Sequence, residues 1–493
     1  MKFAIICDTH LSSNKESPQW NYLNLFLEYI KTDSVDTVLT LGDITSFGEK
    51  KVFEDYIGLL KNFNHYYVIG NSDVRDESTA EELFLSSPDC SVVIENKTIL
   101  LINTAYGNIS ENSRKRIAEL SDGDILCMHH YVESLDEDSK SFIIKKTNET
   151  ALTVIHGHRH DGEDYILGKS RVIGLRAADP DKSIGGYPCV AYFDIENSKV
   201  SYREVTIDTP RFILCDIEKY FGISCVDNKA DVTYALENNI YGIELRCNGS
   251  DWRADYSLIL LLEEWKKKTN GYLSVHMPNL RYKNGEIVGG EQWEEALIYA
   301  KNIGADGITM HPPRAQVKDM ITNSNLWNKF LSYYIRVVEV MPEEVNLGVE
   351  NMHFESYETL DETRGFAYIP SEVSSWIDAI NEAVDKNGRV GHILDVGHAR
   401  ANGLLSRNYP ISRWYETMGK KTVGYHIHQV AGGNGNHKSL EKWLGPVINY
   451  SSFFYCWEKK MLNHAPIFLE VKGWENYQKS IGAFAQLKEN CKK

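Results

Sequence analysis

At 493 residues, with 42% apolar and 25% charged residues, the chain has an ordinary globular composition, enough for roughly two or three domains with sizeable cores. Its formal net charge of -16 argues against coating long duplex nucleic acid, because that affinity comes from Lys and Arg neutralising phosphates. The nine cysteines form no CxxC pair, the opening MKFAIICDTH does not read as a signal peptide, and no apolar run reaches membrane-span length, which predicts a cytoplasmic protein with reduced thiols and no membrane partner.

In chain order, the first half alternates strand and helix. KFAIICD, VDTVLTLGD and HYYVIGNSD read as strands, separated by helices from Tyr22 to Ile30 and from Val52 to Leu60. Later strands fall at Ser91 to Ile94, Ile99 to Asn103, Asp124 to His129 and Leu152 to His156, and closing hairpins from Ser170 to Val205. The pattern predicts a layered α/β sandwich over residues 1–208. Asp8 and His10 are two apart, as are His158 and His160, so an extended strand points each pair to one face. Asp43 follows Gly42, Asn71 follows Gly70, and His129 adjoins His130. Such oxygen and imidazole donors suit Mn, Fe or Zn, and a shared carboxylate can hold two ions about 3.5 to 4 Å apart.

The blocks DTH, LGD, IGN, MHH and HGHRH follow the order DxH, GD, GN, H, GHxH of the calcineurin-like metallophosphoesterases, which this half resembles. The resemblance implies a four-layer α/β/β/α sandwich in which Asp8, His10 and His160 hold one ion, Asn71, His129 and His158 hold a second, and Asp43 bridges. Asp43, Asn71 and His129 are then the catalytic set, and phosphoester hydrolysis is the implied reaction. His130 and His156 have no ligand role in this pattern. One departure stands out: the family's GNH is GNSD here, and Ser72 cannot protonate a leaving oxygen at neutral pH. A diester or an unusually small substrate is favoured over a monoester with a poor leaving group, and Asp73 is expected to be a structural hydrogen-bond acceptor.

The domain boundary is expected at Ile207 to Pro210. Beyond it, FILCD, YGIELR, YLSVHMP, GITMHPP, NLGVENM, HILDVGH, VGYHIHQV and PIFLEVKG read as eight strands, with helices near Tyr256 to Lys268, Gln292 to Asn302, Asn325 to Val340, Ser371 to Val384, Leu440 to Leu462 and Tyr477 to Leu487. This alternation predicts a (β/α)8 TIM barrel over residues 209–493. The strands end in His276, His311, Glu350, Asp395 with His398, His426 with His428, and Glu470. In one barrel those ends converge, and buried carboxylates there require cations or hydrogen bonds, so the pattern predicts metal binding. His426 and His428 are expected on one strand face.

The set resembles the xylose isomerase-like barrels, whose Glu, Asp, His, Glu core is matched by Glu350, Asp395, His426 and Glu470. Isomerases and epimerases of this superfamily use such a core around one ion. The endonuclease IV-like branch adds histidines for three ions, and its DxxHA appears here as DVGHA, with His276 and His311 as its strand-end histidines. Its following DxH is absent. GGNGNHKSL offers His437 but no Asp, and His428 is the substitute. One to three Zn, Mn or Fe ions are therefore expected in the barrel, with Glu350 and Glu470 as its catalytic carboxylates. The two halves together imply a bifunctional metal-dependent hydrolase acting on a phosphorylated small molecule, a nucleotide or a short nucleic-acid end. A barrel that isomerises a sugar, or only binds ligand, remains open. The sequence carries no signal for oligomeric state.

Overall fold

A computed structural model describes residues 2–490 apart from 185, 206–216, 248–251, 253–254, 356, 361–362, 387, 404, 432–434 and 446. The expected boundary at 207–210 and the strand FILCD lie outside the described residues. The chain forms two compact units, Met1–Arg211 with Leu444–Ser452, and Phe212–Trp443 with Phe453–Lys493.

The first unit contains two five-stranded sheets. One has the order Lys199–Glu204, Cys189–Asp194, Lys2–Ile6, Thr37–Leu41, Asn64–Val68, and the other Cys90–Ile94, Lys97–Leu101, Ile125–Met128, Thr153–Leu167, Ser170–Arg176. Strand alternation sends Phe3, Ile5, Leu39 and Leu41 from the first sheet and Ile99, Leu101, Ile125 and Ile155 from the second into one buried core between them. The opposite face of the second sheet, with Leu100, Leu126 and Val154, packs on Ile117 and Ile143 of helices Glu111–Ala118 and Glu137–Glu149. Helix Pro18–Thr32 buries Trp20, Leu23, Phe26 and Ile30. It begins before the expected Tyr22 because Pro18, fixed near helical φ, opens its first turn. The four-layer α/β/β/α sandwich is therefore present.

One expectation is corrected here. Asp8 and His10 are not on a strand: the strand ends at Ile6, and the two residues have φ of 54° and 44°. His158 and His160, with φ of 69° and 68°, sit on an irregular stretch of Thr153–Leu167 where the pairing register shifts. Left-handed backbone, and not period-two alternation, aims these side chains.

The second unit is a closed barrel of eight parallel strands: Phe221–Ser224, Gly242–Arg246, Tyr272–His276, Gly307–Met310, Asn346–Glu350, Val390–Asp395, Thr422–Ile427 and Ile467–Leu469. The first barrel strand is FGIS. Trp265, Trp293, Trp376 and Trp414, from four surrounding helices, are wholly buried. The helix expected from Leu440 to Leu462 is only Ser451–Glu458. Gly445 and Pro446 interrupt the apolar run, with Gly445 at φ 121°. Leu444–Ser452 instead belongs to the first unit, where Asn449 Nδ2 donates to the carbonyls of Ser183 (3.1 Å) and Gly186 (2.8 Å).

Candidate metal centres

In the first unit the two sheets bring their metal-capable residues together at one edge. Ligand atoms of Asp8, His10, Asp43 and His160 lie within 4.8 Å of one another, as do those of Asp43, His129 and His158, so Asp43 is common to both groups. His129 Nδ1 donates to the carbonyl of Leu41 (2.8 Å), which leaves its Nε2 facing Asn71 Oδ1 at 3.2 Å and His158 Nδ1 at 3.1 Å. Asp43 Oδ1 is 3.4 Å from the same Nε2 and accepts the Ser72 amide at 2.8 Å. A Cβ at Gly70 would collide with Asp43 Oδ1, so the GN block needs glycine for close approach. Asp8, His10, Asp43, His158 and His160 all have positive φ, a concentration of backbone strain on the donors themselves.

The electrostatics suit cations. Burial alone would raise Asp43, yet the neighbouring imidazoles of His129 and His10 hold it well below the usual carboxylate range. His10 is pushed well below its ordinary value by burial, and neither of its ring nitrogens has a hydrogen bond among the described residues. Buried, unbonded donors converging on a shared carboxylate fit a pair of divalent ions.

Ser72 Oγ donates to the carbonyl of Thr45 at 2.6 Å and is fully buried. Asp73 accepts from the amides of Ile44 (3.1 Å), Thr45 (2.7 Å) and Gly70 (2.9 Å) and from Thr45 Oγ1 (3.0 Å); burial and Asp43 raise it to about 6. Its oxygens are used in holding together the loops that carry Asp43 and Asn71. His130 lies outside both groups, with Nδ1 3.3 Å from Thr104 Oγ1, and His156 Nε2 faces Glu163 Oε1 at 3.1 Å. Sequence reasoning overlooked Lys182. The amide of Asp179 donates to Asp8 O (2.9 Å) and that of Ile184 to His160 O (3.1 Å), so the loop between them is laced to both ligand-bearing segments. Lys182, in that loop and lowered by burial, interacts with Asp179, Arg75, Asp43 and Asp8.

In the barrel, the C-terminal strand ends, the helix Val396–Arg400 and the strand Gly435–Lys438 place donors in three groups. His276, His311 and Glu350 form one, Glu350, Asp395, His426 and Glu470 a second, and His398, His428 and His437 a third. Glu350 Oε2 is the hub, 3.1 Å from His276 Nε2, 3.3 Å from His311 Nε2 and 3.5 Å from His426 Nδ1. Asp395 works on two sides. Its Oδ1 accepts the His398 amide at 2.6 Å, capping helix Val396–Arg400, while its Oδ2 is buried without a hydrogen bond. His398 Nε2, His426 Nδ1, His437 Nδ1 and Glu470 Oε2 are likewise buried and unbonded among the described residues, as a metal cradle requires. Despite burial, the imidazoles of His426 and His311 hold Glu350 well below the carboxylate range. Burial depresses His311 to about 3.

His428 does not join His426. The strand ends at Ile427, and the His428 ring lies 4.5 Å from that of His437 and 5.7 Å from that of His398. Gly397 permits this, since a Cβ there would overlap the His428 ring. The glycine-rich loop before His437 is only partly within the described residues.

Three supporting residues were not foreseen. Glu244, on strand Gly242–Arg246 and fully buried, lies 2.9 Å from His426 Nε2 and accepts from Thr309 Oγ1 (2.6 Å), Ser274 Oγ (3.3 Å) and Ser224 Oγ (3.2 Å). This carboxylate turns His426 Nδ1 towards the hub. Asn351 Oδ1 accepts the Asp395 amide (2.9 Å), and its Nδ2 donates to Asp395 O (2.9 Å). Arg246 forms an ion pair with Glu470 Oε1 at the barrel mouth. The signal for Glu244 was an acid at an inward position of an apolar strand.

The fold and donor sets define a two-unit protein with a metallophosphoesterase-type sandwich and a TIM barrel that carries candidate metal-binding groups. Residues 232–487 match the xylose isomerase-like TIM barrel family, to which the chain belongs, and residues 1–174 carry a calcineurin-like phosphoesterase superfamily domain. Domains of the latter kind bind divalent metals. No curated protein matches the chain. Among solved structures, a D-tagatose 3-epimerase-like protein is similar at 18% identity over 55% of this chain and 98% of its own, with a TM-score of 0.43. A putative xylose isomerase from Rhodospirillum rubrum is similar at 13% identity over the same shares, also at 0.43. A Thermus thermophilus protein soaked with zinc chloride is similar at 17% identity over 55% and 97%, at 0.37. No helix among the described residues is long and apolar enough to cross a membrane.

Proposed function

We propose that this protein is a bifunctional phosphoester hydrolase, with a dinuclear site in the first unit and a multinuclear site in the barrel that cleaves a phosphodiester. The observation that carries the barrel reading is the third group, His398, His428 and His437, standing beside the four-residue core. One ion in that core would leave the buried His398 Nε2 and His437 Nδ1, neither of which has a hydrogen bond among the described residues, without a cation. Mn, Fe or Zn fits the donors of both sites, two ions in the first and up to three in the second. When bound, such cations polarise the phosphoryl group and activate water.

The chain's own residues supply the rest. Asp8, Asp43, Asn71 and the imidazoles of the first unit would hold the pair of cations at which a phosphate binds, and Lys182 places a further cation within electrostatic reach of Asp8 and Asp43. Ser72, turned into the protein, offers no proton to a leaving group, which favours diesters or small esters with good leaving groups. In the barrel, Glu350 and Glu470 orient the reacting centre and Arg246 faces it from the mouth. The net charge supports a phosphorylated small molecule, a nucleotide or a short nucleic-acid end over long duplex.

Metal analysis of the full chain, with turnover of bis(p-nitrophenyl) phosphate by Asp43→Asn and Glu350→Gln, tests this. Each substitution is expected to remove metal from one unit and part of the turnover. Unaltered turnover in Glu350→Gln would sink the hydrolytic barrel. A second reading, a sugar isomerase or epimerase, is favoured by the compact group Glu350, Asp395, His426 and Glu470. A barrel retaining a single ion would support it.

A further inference from the structure

An open cleft of about 400 Å³ on the barrel is lined by no member of the donor groups but includes Arg314, whose charge reaches His311. Its walls come after three successive barrel strands: Arg281–Lys283, paired with Glu286–Val288 in a hairpin, residues 313–316, and residues 357–358 with 363–368. Backbone hydrogen bonds join the walls. Arg314 N donates to Leu280 O (3.0 Å), Tyr282 N to Arg314 O (3.1 Å) and Phe366 N to Ala315 O (3.0 Å).

The lining combines two chemistries. Arg281, Lys283 and Arg314 bring three cations in a chain that is acidic as a whole. The carboxylate of Glu358 is already engaged, accepting from Tyr368 Oη (2.7 Å) and from the amides of Gly365 (3.0 Å) and Glu355 (2.7 Å). Arg314 Nη2 donates to Glu355 Oε1 at 3.1 Å, but its Nη1 is buried with no hydrogen bond among the described residues. A buried guanidinium nitrogen without an acceptor is costly and fits an anionic guest. Alongside these cations stand Tyr282 and Tyr357, the latter 73% exposed. Arginines handle phosphate, and tyrosines offer faces on which a base stacks whatever its identity. The volume lies within the range of small-ligand pockets and exceeds what an inorganic anion fills.

We propose that this cleft binds the nucleoside phosphate portion of the barrel's substrate, with Arg281, Lys283 and Arg314 on the phosphate and the tyrosines on the base. The inference rests on the hydrolytic reading of the barrel for its biological sense, but binding is measured separately from turnover. Calorimetric titration of the full-length, metal-loaded protein with adenosine 5′-monophosphate, adenosine and ribose 5-phosphate tests it. The monophosphate is expected to bind at least tenfold more tightly than either fragment. Arg281→Gln and Tyr282→Ala, both on the hairpin and away from every metal group, are each expected to weaken it about tenfold at unchanged metal content; Arg314→Gln is the stronger variant if it folds. A hexanucleotide that binds tenfold more tightly than the monophosphate identifies the guest as the end of a chain, and one that binds no better identifies a free nucleotide. Equal binding of the monophosphate and ribose 5-phosphate, or affinity indifferent to Arg281→Gln and Tyr282→Ala, overturns the proposal. Failure of the diester test with intact nucleotide binding would retire the hydrolytic barrel and leave the cleft standing.

Discussion

Glu244→Gln probes the barrel without touching any member of its three donor groups. The side chain keeps its shape, and Ser224, Ser274 and Thr309, which now donate to the carboxylate, can rotate their hydroxyls to accept from the new amide. What disappears is the negative charge 2.9 Å from His426 Nε2. Glu244 is held near about 2 by the His426 imidazole against the opposing effect of burial, and it helps carry His426 well above its ordinary value. Such a carboxylate both selects the tautomer with Nδ1 free and raises ligand basicity; removing comparable partners costs 10–100-fold in metal affinity, or about 1.4 to 2.7 kcal/mol. Because His426 belongs only to the group with Glu350, Asp395 and Glu470, one barrel ion should weaken by that factor while the first unit's ions are unaffected. Equilibrium dialysis against a graded series of chelators, followed by elemental analysis, reads the change. Wild-type occupancy at every chelator strength would refute the orienting role of Glu244.

Gly397→Ala should displace the His428 ring, since the added methyl overlaps it, and lower barrel metal content by one ion with little change in the group around Glu350; full occupancy would show that His428 is not a ligand. The pH dependence of the first unit's stability should carry a contribution from His65, which burial depresses to about 4 and whose Nε2 lies 2.9 Å from Thr40 Oγ1. Between the unfolded value of about 6.5 and the folded value the unfolded chain binds the extra proton, so stability falls as pH falls across that window, by up to about 3 kcal/mol. Thermal midpoints of wild type and His65→Asn should converge as pH drops through this range, and parallel profiles would assign the titration elsewhere.

The donors themselves were legible because they stand where strands stop, and a polar residue after an apolar run is conspicuous. Their aim was not. Asp8 and His10 read as a strand pair by spacing, whereas left-handed backbone turns them, a conformation that their side chains do not announce. Glu244 hid for the opposite reason: in YGIELR it sits within a strand, and only the closed barrel shows that this acid points at His426. Lys182 lies in a loop whose position depends on hydrogen bonds to residues 8 and 160, contacts too distant in sequence for any local pattern. The failed helix over 440–462 is a case of apolar periodicity outvoted by Gly445 and Pro446.

Asp395 has a consequence for how the barrel is loaded. Its capping oxygen holds the His398 amide whether or not the other oxygen has a cation, and Asn351 grips the same residue's backbone from the neighbouring strand. The chain's own hydrogen bonds thus hold this ligand in place. Stripping and restoring metal should proceed without melting and re-forming this corner, so uptake should be governed by how fast an ion sheds its water, with a rate that follows the identity of the metal more than the temperature of unfolding.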